Sequence, residues 1–107
     1  MTRVELLYVD GCPNHEPLQK RVRELADAHD IQAEIEAVPV RSDAEARARR
    51  FLGSPTVRVD GEDIEPGAGE RTDFGVKCRL FLTPDGLQRT PADAWVLAAL
   101  KRRRQRT

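Results

Sequence analysis

The stretch Val4-Glu5-Leu6-Leu7-Tyr8-Val9-Asp10-Gly11-Cys12-Pro13-Asn14-His15 decides the fold. Its first six residues are almost wholly apolar and β-prone, the composition of a strand covered on both faces and therefore central in its sheet. Asp10-Gly11 breaks that strand. Beyond it Leu18, Val22, Leu25, Ala26 and His29 fall on one stripe, which predicts an amphipathic helix to about His29. Its start is marked either by Cys12 followed by Pro13, or by Asn14 as N-cap with Pro17 in the first turn. Both options put Cys12 at or beside the helix N-terminus.

Downstream, Ile31 to Val40 alternates, with Ile31, Ala33, Ile35 and Ala37 on one face, and reads as a second strand. Ser42-Asp43-Ala44-Glu45 is a capping box that opens a second helix. Its expected stripe is Ala44, Ala48, Phe51 and Leu52, and Gly53 suits the residue that ends it. Thr56–Val59 and Glu62–Ile64 flank Asp60-Gly61, a strong hairpin signal. Asp60, Glu62, Asp63 and Glu65 crowd around that turn and read as a solvated edge. A long polar loop at 65–77 is of the kind that is either functional or mobile, and is long enough to cover a site. Cys78–Thr83 is either a strand paired through Pro84-Asp85-Gly86 to Leu87–Thr90 or a short helical turn. Thr90 as N-cap, Pro91 and Asp93 open a last helix with the stripe Ala92, Trp95, Val96, Ala99 and Leu100. The order β-α-β-α-β-β-α, with one insertion before the last helix, predicts a mixed four-stranded α/β sheet with helices on both faces.

The 107 residues make one domain, expected over 1–101. Leu, Ile, Val and Phe total 25, enough for a core despite the high charge. Formal charge is zero, but Lys101, Arg102, Arg103, Arg104 and Arg106 crowd the end of the chain. Residues 1–100 carry 13 Lys and Arg against 18 Asp and Glu, a net −5. An acidic body argues against nucleic-acid binding, and 102–107 is expected as a disordered basic tail. Nothing in the sequence resembles a membrane span or a signal peptide, so a cytosolic protein without a membrane partner is expected. Cys12 and Cys78 are too few for a disulfide framework and are read as reactive, metal-binding or inert thiols rather than a structural bridge.

The strand-Asp10-Gly11-Cys12-Pro13-Asn14-His15-helix segment, followed by Gly53-Ser54-Pro55-Thr56 entering a hairpin, resembles the small thioredoxin-like proteins of the thioredoxin and glutaredoxin type. The resemblance covers residues 1–64 and 90–101 and implies the thioredoxin-like fold. It also implies an attacking thiolate at Cys12 and a cis-proline at Pro55 beside it. His15 stands where the family carries its second cysteine, so an intra-motif disulfide is excluded. From the residues alone, a thiol at a helix N-terminus faces free N–H groups and the positive end of the dipole, which favour the thiolate, and a protonated His15 adds to this. The catalytic candidates are therefore Cys12, His15 and Cys78, the last as a resolving thiol if the 65–77 loop folds back. The alternative for Cys78 is a buried small hydrophobe beside Leu80 and Leu82. Ser54, Pro55 and Thr56 are the substrate-binding candidates.

The expected function is thiol–disulfide exchange with a small thiol or disulfide, or a protein thiol, as substrate and without a cofactor. A second resemblance, to alkylmercury lyases, rests on Val59-Asp60-Gly61 and Lys77-Cys78-Arg79-Leu80. It implies a mercury-holding thiolate, and from the residues alone Cys12 and Cys78, with His15, make a soft ligand set suited to mercury or another soft metal ion. Neither cysteine has the Asp at +3 that the lyases use, which leaves His15 or Asp73 as proton donor. A third reading is a non-catalytic binding module with a groove beside Pro55.

Overall fold

The computed structural model describes residues 2–105. β1 (Thr2–Tyr8) lies between β2 (Ala33–Pro39), its parallel neighbour, and β3 (Thr56–Val59), which runs antiparallel to it. β4 (Glu62–Asp63) closes the sheet in the order β2-β1-β3-β4. The apolar run at Val4–Val9 is therefore the central strand its composition predicts. On one face Val4 and Leu6 meet Val57 and Val59 beneath Leu18, Val22 and Leu25 of α1 (His15–Ala28) and Val96, Ala99 and Leu100 of α3 (Asp93–Gln105). On the other, Leu7, Val38 and Val40 pack against Ala46 of α2 (Asp43–Ala48) and against Phe51. The result is a mixed four-stranded sheet with helices on both faces.

Both crossover helices end by the same device. Asp30 and Arg50 each hold a φ of 54°. Around them Ile31 and Phe51 N–H donate back to the carbonyls of Ala26 and Ala46, at 2.9 and 2.8 Å. These are Schellman ends, with the backbone bonded five residues back and an apolar residue folded onto the last turn. Because Arg50, not Gly53, takes the left-handed position, α2 is shorter than its pattern suggests. The buried residues are Ala46, Phe51 and Leu52, while Ala44 and Ala48 are exposed. At the start of α2 the Ser42 hydroxyl accepts from Glu45 N–H at 3.1 Å, and the Glu45 carboxylate accepts from Arg41 N–H.

Asp60 and Gly61 make the β3–β4 turn with positive φ at both, 50° and 88°, the geometry of a two-residue hairpin. The edge strand β2 is shorter than the alternation at 31–40, and Ala37 is exposed while Val38 and Val40 turn inward on the opposite face. The insertion before α3 is a hairpin, not a helical turn: β5 (Phe81–Thr83) pairs with β6 (Gly86–Gln88) as a separate two-stranded sheet. α3 runs on through the segment expected as a disordered tail, as far as Gln105, and Arg106 and Thr107 lie outside the described residues.

Candidate functional site

Cys12 ends a tight turn. Its N–H donates to Val9 O at 3.1 Å, and Gly11 holds a φ of 84°, the positive value required at the third residue of a type II turn. The N-cap is Asn14, whose side chain makes no capping bond, so the second of the two possible helix starts is the one realised. Cys12 stands two residues ahead of that cap and is half-buried. The His15 Nδ1 lies 2.9 Å from the Cys12 carbonyl oxygen. A carbonyl can only accept, so Nδ1 carries the proton. The imidazole is stacked on Tyr8, centroids 3.9 Å apart and planes 6° from parallel. His15 thus meets Cys12 through its backbone, not its thiol, and locks the turn against the end of β1.

Cys78, 66 residues further along the chain, is brought beside Ser54. The 65–77 loop, after a 3₁₀ turn at Ala68–Glu70, folds back beside residues 51–54. Gly75 N–H donates to Phe51 O at 3.1 Å, Ser54 N–H to Lys77 O at 2.8 Å and Arg79 N–H to Ser54 O at 3.0 Å. These bonds form a parallel bridge with Cys78 in register with Ser54. The Ser54 hydroxyl in turn accepts from Val9 N–H at 3.1 Å. Val9 therefore links the two cysteines: its C=O holds Cys12 and its N–H holds the residue paired with Cys78. Both thiols are free, and Cys78 is exposed.

The Ser54–Pro55 bond is cis, the isomer the family resemblance implies at Pro55. Ser54, Pro55 and Thr56 are nevertheless buried, and their polar groups are engaged within the chain. The Thr56 hydroxyl donates to Gly53 O at 2.6 Å and accepts from Arg79 at 2.9 Å. Two of the three, Ser54 and Thr56, hold residues 77–79. Gly53 makes that approach possible: a Cβ there would lie 2.9 Å from Arg79 Cβ and 3.2 Å from Lys77 O, and its φ of 127° is one that only glycine adopts freely.

Arg79 is the residue that sequence reasoning missed. Its side chain is 1 % exposed and forks onto Asp63 at 2.8 and 3.1 Å and onto Glu65 at 2.9 Å. Its guanidinium carbon lies 4.5 Å from the Phe81 ring centroid, and its Nε is buried without a partner. Asp63 and Glu65 are accordingly not a solvated edge but the counter-ions of a buried cation; Asp60 and Glu62 are exposed. The inward phase of residues 79–83 is Arg79, Phe81 and Thr83, which leaves Cys78, Leu80 and Leu82 outside. Cys78 is therefore not the buried hydrophobe that was its alternative reading.

Two further placements bear on metal and lyase chemistry. Among the described residues no three His, Cys, Asp or Glu side chains come together as a metal-binding group, so His15 does not join Cys12 and Cys78 in a ligand set. Asp73 is bonded by Arg71 at 2.6 and 2.9 Å and by Lys77 at 3.0 Å. These cations hold its carboxyl well below the usual range, chiefly through the Arg71 hydrogen bonds. Asp73 is consequently ionised at neutral pH and unsuited to protonate a leaving carbon. No helix among the described residues is long and apolar enough to cross a membrane. No protein-family model, curated protein or solved structure matches the chain.

Proposed function

We propose that the protein is a thioredoxin-like thiol oxidoreductase in which Cys12 attacks a disulfide and Cys78 resolves the product. The observation that carries this reading is the hydrogen-bonded path from Cys12 through Val9 and Ser54 to Cys78. It ties the backbones on either side of two free thiols to one residue pair, half-buried Val9 and buried Ser54.

In the reaction, the Cys12 thiolate attacks one sulfur of a disulfide RS–SR′. A Cys12–SR mixed disulfide forms and R′S⁻ leaves. The Cys78 thiolate then attacks the Cys12 sulfur, expelling RS⁻ and leaving a Cys12–Cys78 disulfide, which an external dithiol reduces. His15 is a positioning residue: its Nδ1–H on the Cys12 carbonyl and its stack on Tyr8 fix the turn that presents the thiol. Since Ser54 already gives its N–H and C=O to residues 77–79, the substrate favoured is a small disulfide rather than an extended peptide.

Glutathione disulfide with intact-mass analysis tests the scheme. Wild type is expected to end as a protein lighter by two hydrogens, Cys78→Ser to accumulate one glutathione on Cys12, and Cys12→Ser to react at Cys78 only slowly. Equal glutathionylation of Cys78 in the presence and absence of Cys12 overturns it. A wild type that keeps the mixed disulfide as long as Cys78→Ser removes the resolving role. One equivalent of Hg(II) that protects both thiols, with no turnover of the disulfide, moves the assignment to the two-thiolate clamp.

A further inference from the structure

A cavity of about 580 Å³ opens between residues of β4, the following loop and α3, and Cys12, His15 and Cys78 take no part in its walls. It lies within the range of roughly 300–1,000 Å³ typical of small-molecule sites. Trp95 of α3 and Phe74 of the 65–77 loop are its aromatic walls. Trp95 is half-buried, one side packed against Phe81 at 6.5 Å between centroids.

The charge around the cavity is unbalanced in a specific way. Arg49, Arg50 and Arg102 border it, and among the described residues none of the three has a carboxylate within ion-pair reach. Arg50 instead lies over the Phe74 ring, 5.0 Å from its centroid. Several other arginines are committed: Arg3 to Glu36, Arg21 to Asp93, Arg71 to Asp73 and Glu65. Of the carboxylates in the wall, Asp63 and Glu65 are neutralised by Arg79, which leaves exposed Glu62 as the one acidic group without such a partner. A body with net −5 over its first 100 residues thus gathers three unpaired guanidinium groups at a single aromatic-walled hollow.

We propose that this cavity binds a phosphate monoester bearing a planar ring, a ligand of the mononucleotide class. Guanidinium forks match the oxygens of a phosphate. A monoester dianion, with about two charges and three acceptor oxygens, uses more than one arginine where a carboxylate needs only one. The ring has Trp95 to stack on and the Arg50 guanidinium as a second flat partner. The site is independent of the thiol chemistry and stands whether or not Cys12 is reactive.

Trp95 is the only tryptophan in the chain, so its fluorescence reports the cavity directly. The full-length protein is titrated with AMP, adenosine and inorganic phosphate. AMP is expected to change the emission saturably and to bind about tenfold or more tighter than either fragment, because only AMP engages both arginines and ring. Arg49→Ala/Arg102→Ala removes two exposed side chains that make no hydrogen bond or ion pair among the described residues, and is expected to weaken AMP about tenfold with an unchanged circular dichroism spectrum. Arg102→Glu, a single change on the exposed face of α3, is expected to act in the same direction. An emission that does not saturate with AMP, adenosine binding as tightly as AMP, or AMP affinity unaltered in both variants overturns the proposal.

Discussion

The two cysteines are held in contrasting ways. Cys12 is placed by short-range structure: a type II turn closed on Val9, an imidazole three residues on, and the start of α1. Cys78 is placed entirely at long range, by a strand that pairs with Ser54 and is anchored by a buried arginine on carboxylates 14 and 16 residues away. Local placement survives small errors elsewhere because its bonds form within a few residues. Long-range placement concentrates its dependence on a few groups, so mutations on the Cys78 side are expected to uncouple the thiols while the Cys12 turn persists.

The largest effect is expected at Arg79. Arg79→Ala leaves Asp63 and Glu65 as partly buried carboxylates without their cation and should cost about 3–5 kcal/mol, read as a fall in the urea midpoint. Arg79→Met, which fills the space but not the charge, should destabilise as well, since the two acids remain. Restoring stability in Arg79→Met/Asp63→Asn/Glu65→Gln would sharpen the case that the unpaired charges, not the lost packing, are the cause. If Arg79→Ala unfolds near the wild-type midpoint, the contrast between the two cysteine settings fails.

Gly53→Ala is next. A methyl group there meets Arg79 Cβ and Lys77 O at a backbone angle that L-residues avoid, and the expected cost is about 1–3 kcal/mol. Its signature is selective: Cys78 alkylation accelerates as residues 77–79 lift from Ser54, while the rate at Cys12 is unchanged. Equal acceleration at both cysteines would show that the turn and the strand move as one unit.

How much of this was legible in the sequence follows the same division. Signals carried by neighbours in the chain were readable: Asp60-Gly61 as a hairpin turn, Ser42 as a cap, the apolar run at Val4–Val9 as a central strand, and Pro55 at the family's cis position. Signals that need a distant partner were not. Arg79 sits in a run, Cys-Arg-Leu-Phe-Leu-Thr, with apolar residues in both phases of the strand, so alternation could not show that the arginine is the inward one. Only the acids at 63 and 65, with the same two-residue spacing as Arg79 and Phe81, hinted at a matching polar interior. The end of α2 was misread for a related reason. Gly53 is the residue that usually stops a helix, yet here its lack of a side chain serves the approach of Arg79, and Arg50 bears the left-handed turn.

Ser54→Ala tests the link between the settings. It removes the acceptor of Val9 N–H and leaves the strand bridge, which uses only the Ser54 backbone. The expected loss is about 1 kcal/mol. Cys12–Cys78 disulfide formation should slow while each thiol still alkylates at its wild-type rate, and a disulfide rate unchanged in Ser54→Ala would break the path assigned through Val9.

The smallest effect is expected at Asp73, where the clasp from Arg71 and Lys77 steadies the loop leading to Cys78. These ions are substantially exposed, so solvent screening limits their worth to about 0–1 kcal/mol. The folded-state carboxyl titrates below its ordinary range. The clasp therefore contributes fully above the unfolded-state value, roughly pH 4, and is lost only as pH falls through the lower folded value. Asp73→Asn should accordingly raise Cys78 alkylation at neutral pH by no more than about fivefold, the factor that ~1 kcal/mol represents. Cys12 should be indifferent to the change, because no bond of its turn passes through the loop. A carboxyl titration of Asp73 at the ordinary position would remove the clasp and leave the Ser54 bridge and Arg79 as the groups that hold Cys78.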